Sequence, residues 1–296
     1  MGAGGNQKRS LNPSGSKNAS MLQNWWKLTR AEHGLIVFLP IIVSQFVVTK
    51  TLTTAMIWPA VGPMLITWGA FAWNDYFGYK SDQALNRKDR PLVAGTIKPR
   101  AALWVGSALM LLGVAWTYPV GLSAFSIAAI YTVLSMAYDL FLKTRPLLGN
   151  AFIASSMSIS FIYGNYAVSN ELHPFVLLYA GVAFLAGLGR ELIITLRDVD
   201  GDKKAGATTL PMLLGPRNTV VAASALIYGA AALSLVPLLR PVNTVYIVLA
   251  ILTDALFLVS TYYVLLSQRF ENLNTARKLT LAGMLVGVLA FAALGL

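Results

Sequence analysis

An all-α fold of several membrane-spanning helices is what this sequence predicts, and three observations carry it. Of the 296 residues, 56% are hydrophobic and only 12% charged, about half the roughly 25% charge of an ordinary soluble domain. Nine apolar runs recur along the chain, near 34–49, 54–76, 101–118, 121–141, 148–168, 174–194, 219–237, 244–266 and 279–296. Most are close to the roughly 20 residues that cross a bilayer as a helix. The basic residues also segregate: with nine spans, 21 of the 23 Lys and Arg lie on the side of the N-terminus, and only Lys50 and Arg240 lie opposite. Basic loops stay in the cytoplasm, so the N-terminus and every second connection are expected there. One span more or fewer scrambles that segregation, which is a further argument for nine.

The elements follow in order. Residues 1–20 are Gly-, Asn- and Ser-rich, basic and aperiodic, and read as a disordered tail without the apolar core of a secretory signal. The rest, 21–296, reads as one transmembrane domain, because no connection is long enough for a soluble one. The first span opens on Arg30, Glu32 and His33. Trp25, Trp26, Trp58, Trp73 and Trp104 fall near span ends, as interfacial anchors do. Asp254 stands near the middle of the eighth span, where a charge costs about 2.5–3.5 kcal/mol, so it is expected to face a cavity or a partner. The absence of cysteine excludes disulfides, thiolate metal sites and thiol nucleophiles. The formal charge of +11 is read as membrane topology and not as a nucleic-acid surface.

Two clusters carry the chemistry, and both close spans that run in the same sense. NDYFGYKSD (74–82) ends the second, and GRELIITLRDVDGDKK (189–204) ends the sixth. If the second span continues as a helix, Asn74, Gly78 and Asp82 fall at i, i+4 and i+8, with Asp75 seven residues before Asp82. In the sixth, Glu191, Asp198 and Asp202 share a stripe, while Asp200 points elsewhere. Bare carboxylates facing each other are costly, since like charges about 4 Å apart repel by about 4 kcal/mol at an effective dielectric of about 20. A divalent cation removes that cost, and oxygen-only ligands suit Mg²⁺, which typically binds through a few carboxylates plus substrate phosphates. The neighbouring Arg and Lys then pair with phosphate oxygens. The two stripes therefore read as a Mg²⁺–polyphosphate site at one membrane surface.

With these motifs assembled, the chain resembles the UbiA superfamily of intramembrane prenyltransferases, whose signatures are NDxxDxxxD after the second helix and DxxxD after the sixth. They stand here as NDYFGYKSD and DVDGD (198–202), and a further family feature, a Tyr and a Lys ending the fourth span, stands as YDLFLK, with Tyr138 and Lys143. WKLTRAEHG (26–34), DRPLVAG (89–95) and GREL (189–192) resemble most the archaeal digeranylgeranylglyceryl phosphate synthases within that superfamily. The resemblance implies nine helices around a central cavity opening near the cytoplasmic face. It also implies Mg²⁺-dependent transfer of a prenyl group, geranylgeranyl in that subfamily, from its diphosphate to a lipid-like acceptor in the membrane. Asn74, Asp75, Asp82, Asp198 and Asp202 would be the catalytic set. Asn74, Asp82, Asp198 and Asp202 would hold the ions, and Tyr138, Lys143, Arg145 and Arg87 would meet the diphosphate. One position departs from the pattern: Gly78 stands where the family has the middle aspartate of the first motif, which puts the load on Asp75 and Asp82.

Other residues are open to more than one role. Arg30, His33, Glu191, Asp254 and Tyr163 are candidates for binding the acceptor or stabilising an allylic cation, with Tyr131, Phe161 and Tyr166 as further aromatic faces. For each aromatic, ordinary packing is the simpler reading. An aromatic acceptor such as 4-hydroxybenzoate is the alternative substrate. From other classes, a transporter or a prenyl-diphosphate-binding relative without turnover also fits parts of the pattern, although transporters place their polar groups at the bilayer midplane.

Overall fold

A computed structural model describes residues 13–204 and 206–296, and among these the chain is helical throughout, without strands. The helices are α1 (Pro13–Thr29), α2 (Ala31–Thr49), α3 (Ile57–Ala84), α4 (Pro99–Thr117), α5 (Leu122–Ala137), α6 (Leu148–Tyr166), α7 (Pro174–Lys204), α8 (Leu210–Ser234), α9 (Thr244–Leu266) and α10 (Phe270–Ala293). Of the expected tail 1–20, residues 13–20 open α1, and residues 1–12 lie outside the described residues.

Eight of these helices are long and apolar enough to cross a membrane. They match eight of the nine runs read from the sequence. The ninth, α6, has a spanning length of 19 residues but carries Asn150, Asn165 and four serines between 155 and 160. Its polar groups are satisfied within the protein: Ser158 Oγ donates to the Ala180 carbonyl at 2.7 Å, and Asn165 Nδ2 donates to the Glu171 carbonyl at 2.8 Å. Buried side-chain polar groups need such partners, so α6 keeps its hydrophilic face against α7 and the loop that precedes it.

From α2 to α10 each helix packs on its successor, and α10 closes the ring by packing on α2. Contacts also cross the ring, α2 with α6, α7 with α10 and α3 with α5. One core lies among α7, α8, α9 and α10, around Ile193, Ile227 and Phe257. A second joins α2, α6, α7, α9 and α10 around Val47, Phe161, Tyr246 and Phe291.

α3 and α4 approach each other backbone to backbone. Gly62 and Gly69 on α3 face Gly113 and Gly106 on α4. A Cβ on Gly69 would lie 2.5 Å from the Gly106 carbonyl oxygen, and one on Gly113 would lie 2.7 Å from that of Gly62. Small residues let helix backbones approach in a membrane, where packing and not hydrophobicity drives association. This crossing fixes the lengthwise position of α3, which continues as helix past the first motif to Ala84. α7 likewise continues through the second motif to Lys204, so both motifs have the helical spacing expected for them. Gly215, at φ +80° and ψ 161°, interrupts α8 before Pro216 restarts it, a backbone that only glycine adopts cheaply.

Candidate active site

The ends of α3, α5 and α7 and the starts of α2, α6 and α8 meet at one end of the ring. Here α5 gives way to a π-helical turn, Tyr138–Leu142, closed by the Lys143 amide donating to the Tyr138 carbonyl at 3.1 Å. In a regular helix, residues five apart point roughly 140° away from each other. A wider i→i+5 turn brings Tyr138 and Lys143 onto the same side.

That side lines a cavity of about 190 Å³. Tyr138, Lys143 and Arg145 form one wall, and Glu191, Asp198 and Asp202 of α7 form the other. Asn150, Thr195 and Thr209 complete the polar lining, and Asn150 Nδ2 is held by Thr195 Oγ1 at 2.7 Å. Asp198 and Asp202, one turn apart, face the same space. Arg197 forks onto Asp198 with contacts of 2.7 and 2.6 Å. Carboxylates on one wall and cations on the other form the donor set for a divalent ion and a polyphosphate together. The stripe read for the second motif and the three residues ending the fourth span are thus gathered in one chamber.

The first motif lies on the other side of the π-turn. Asn74 Nδ2 donates to Asp139 Oδ1 at 2.6 Å, and the charge of Lys143 acts on that same carboxylate. Asp75 faces away and is 3% exposed; its Oδ1 accepts from Arg30 Nη2 at 3.2 Å and from Arg90 Nη1 at 3.0 Å. Asp82 lies 3.8 Å from Arg90 Nε, and the open space beside Gly78 has Asp82 Oδ2 as its near atom, also at 3.8 Å. Among the described residues, no three acidic or histidine side chains converge as a metal cluster. The two stripes do not meet directly, because the segment 138–143 is wedged between them.

The remaining candidates separate in the same way. Arg87 donates to both oxygens of Asp89 at 3.0 and 2.8 Å, which holds the Asp89 carboxyl below its usual range and keeps Arg87 off the cavity. Arg30 stacks 4.5 Å over Phe71, and His33 meets the same ring edge-on at 4.8 Å. Tyr163 is buried with its hydroxyl on the Pro59 carbonyl at 2.8 Å, a packing role. Asp254 accepts from Ser234 Oγ, 3.0 Å from each carboxylate oxygen, between α8 and α9 and outside the cavity. Phe161 packs on Phe291. The aromatic group beside the chamber is instead Tyr131, Phe152 and Tyr138, with Phe152 stacked on the other two.

Asp139 and Arg90 are site residues that motif spacing alone does not mark. Both stand inside quoted stretches, Asp139 beside Tyr138 in YDLFLK and Arg90 in DRPLVAG, and a carboxylate next to the family's tyrosine is the signal in the sequence that points to the first of them.

A family model for UbiA prenyltransferases matches residues 37–284. The chain belongs to the UbiA prenyltransferase family. It is 32% identical over 272 residues to a digeranylgeranylglyceryl phosphate synthase of Archaeoglobus fulgidus, covering 90% of this chain and 93% of the relative. To the enzyme of that name from Methanopyrus kandleri it is 31% identical over 273 residues, covering 92% and 99%. Among solved structures, a digeranylgeranylglyceryl phosphate synthase superposes with a TM-score of 0.78 at 24% identity, covering 94% of this chain and 100% of the other. A UbiA homologue from Archaeoglobus fulgidus bound to DMAPP and Mg²⁺ superposes with a TM-score of 0.69 at 18% identity, covering 90% and 99%. The UbiA fold expected from the motifs is therefore the fold of this chain.

Proposed function

We propose that this UbiA-family protein transfers a geranylgeranyl group from its diphosphate to the hydroxyl of geranylgeranylglyceryl phosphate, with Mg²⁺, as a step in ether-lipid synthesis. The observation that carries the reading is the single chamber with Asp198 and Asp202 on one wall and Tyr138, Lys143 and Arg145 on the other. The relatives described above, which bear the synthase name over nearly their whole length, support the choice of acceptor.

The donor set fits the ion. Mg²⁺ is typically held by one or two carboxylates plus substrate phosphates, and Asp198 and Asp202 supply two. Held there by Asp198 and Asp202, Mg²⁺ would supply positive charge to the diphosphate. The chain's own residues do the rest. Lys143 and Arg145 hold the diphosphate oxygens, and the Tyr138 hydroxyl donates to them. As the bond between the allylic carbon and the diphosphate oxygen breaks, these fixed charges stabilise the departing group. The Tyr131–Phe152–Tyr138 stack offers its π faces to the allylic cation. The acceptor oxygen then bonds to that carbon and passes its proton to the released diphosphate. Asn74, aligned by Asp139, and Asp82 lie on α3 across the π-turn from the chamber and serve a second phosphate or ion.

In this reading α6 also spans the membrane, which gives nine spans and places the N-terminus and the chamber in the cytoplasm. The segregation of 21 of 23 basic residues to that side supports the orientation. The test is transfer from radiolabelled geranylgeranyl diphosphate in detergent with Mg²⁺, offering geranylgeranylglyceryl phosphate and 4-hydroxybenzoate in parallel. A labelled lipid product that is lost on chelation and in Asp198→Ala is expected. A product with 4-hydroxybenzoate alone overturns the acceptor, and no product with either overturns the reaction.

A further inference from the structure

Beside the chamber, α7 carries an arginine that the mechanism does not use. Arg190 is 11% exposed, and among the described residues its one carboxylate partner is its chain neighbour, with Nη1 on Glu191 Oε1 at 3.2 Å. Adjacent residues on a helix do not face each other, so the pair is poorly placed, and the buried Nε of Arg190 has no hydrogen-bond partner. A buried guanidinium is costly unless it is paired and hydrogen-bonded. Across from it at the start of α2, His33 Nδ1 is also buried without a partner, and the charge of Arg190 reaches His33. From α10, Arg277 adds a second positive charge within reach of Arg190, and its own partner is the neutral Asn274, at 3.2 Å from Nη2.

The nearby charges do not balance. Arg30 is engaged by Asp75 and Arg197 by Asp198, and Glu32 lies 3.7 Å from His33 Nδ1, beyond hydrogen-bond range. Among the described residues Glu191 is left as the carboxylate that pairs with Arg190, and Arg277 makes no carboxylate pair. α2, α7 and α10 thus each bring a polar or basic side chain to this neighbourhood, and two of their buried nitrogens, His33 Nδ1 and Arg190 Nε, are without a partner among the described residues.

We infer that Arg190, with His33 and Arg277, binds the phosphate monoester of the acceptor lipid, and so makes the enzyme specific for a phosphorylated glycerol ether. The inference rests on the acceptor proposed above. Arginine's planar fork matches phosphate oxygens. The placement also fits the reaction, because Glu191, which touches Arg190, lines the donor chamber. A hydroxyl on the carbon beside the phosphate-bearing carbon reaches the donor only if its phosphate sits at the edge of that chamber.

The experiment compares wild type with Arg190→Gln, as full-length protein in detergent with Mg²⁺ and geranylgeranyl diphosphate. Two acceptors are used, geranylgeranylglyceryl phosphate and the uncharged geranylgeranylglycerol. Arg190→Gln is expected to raise KM for the phosphorylated acceptor by about tenfold to a hundredfold, the usual weight of a charged hydrogen bond. KM for the donor and turnover of the neutral acceptor stay as in wild type, and Arg190→Lys recovers part of the loss. An unchanged acceptor KM overturns the inference. A rise shared by the neutral acceptor overturns it too, and so does a rise confined to the donor, which would place the diphosphate at Arg190. If Arg190→Gln does not fold, judged by loss of a cooperative thermal transition without ligand, half-buried Arg277→Gln takes its place. A rise in KM for the phosphorylated acceptor alone then supports the inference, and any of the three results just named overturns it. Wild type that ignores geranylgeranylglyceryl phosphate refutes the proposed function itself, a result separate from all of these.

Discussion

Removing the Asp75 carboxylate tests whether this motif residue works on the substrate or on the fold. Its geometry favours the fold: one buried oxygen serves two guanidiniums, joining the start of α2, the end of α3 and the 85–98 connection. Breaking a fully buried ion pair by removing one partner costs about 3–5 kcal/mol. Both arginines keep about a quarter of their surface, 24% each, so solvent screens part of the loss and about 2–3 kcal/mol is expected for Asp75→Ala. Asp75→Asn keeps an acceptor oxygen and should lose about 1–2 kcal/mol. Arg30 adds to the sensitivity, because it holds a left-handed backbone at φ 46° that persists only when its surroundings enforce it. Thermal unfolding in detergent, followed by tryptophan fluorescence, should show midpoints ordered wild type, Asn, Ala. Mg²⁺-dependent binding of geranylgeranyl diphosphate to the variants, measured below their midpoints, should stay near wild type. A wild-type midpoint with donor binding abolished would refute the reasoning and make Asp75 a ligand.

Other residues give sharper functional outcomes. Asp202→Ala and Lys143→Ala should each lower kcat by about 10²–10³-fold, the weight of one preorganised charge, with the midpoint little changed. Asp139→Ala frees Asn74 and should weaken the Mg²⁺ dependence of donor binding by about 10–100-fold, as loss of a supporting partner does; an unaltered Mg²⁺ titration would show that Asn74 is not used. Gly69→Ala forces a methyl onto the Gly106 carbonyl and should destabilise the protein by about 1–3 kcal/mol, whereas an unchanged midpoint would mean the crossing is loose. Gly78→Asp has room beside Asp82 and should lower the Mg²⁺ concentration needed for half-maximal activity; a higher requirement would count against a metal role for that face.

Much of this architecture is legible in the sequence because lipid imposes a simple rule. A spanning segment must be helical and apolar, so run length alone locates the helices within a few residues. The continuation of α3 and α7 beyond the apolar runs follows from the carboxylate spacing. What spacing cannot resolve is which neighbour a polar side chain meets. Asn74 and Asp75 are adjacent, yet one turns to Asp139 and the other to arginines 45 and 15 residues away, and those partners are set by tertiary packing. Arg87 and Arg90 are three residues apart, and only the structure separates the one that folds back on Asp89 from the one that reaches Asp75. α6 is the converse case, since its serines and asparagines weaken the apolar signal and their partners come from elsewhere in the fold.

The π-turn makes the site more vulnerable to a change in chain length than to a change of side chain. Tyr138 and Lys143 share a wall because the backbone between them holds one residue more than a regular turn. Deleting any one of residues 139–142 would let α5 run on as ordinary helix, with every remaining side chain chemically intact. The tyrosine and the lysine would then stand four apart, as neighbours on a single stripe. They would still share a side of the helix, and what would be lost is the bulge that turns Asp139 to Asn74. The link between the π-turn and the first motif is therefore encoded as one extra residue in the main chain.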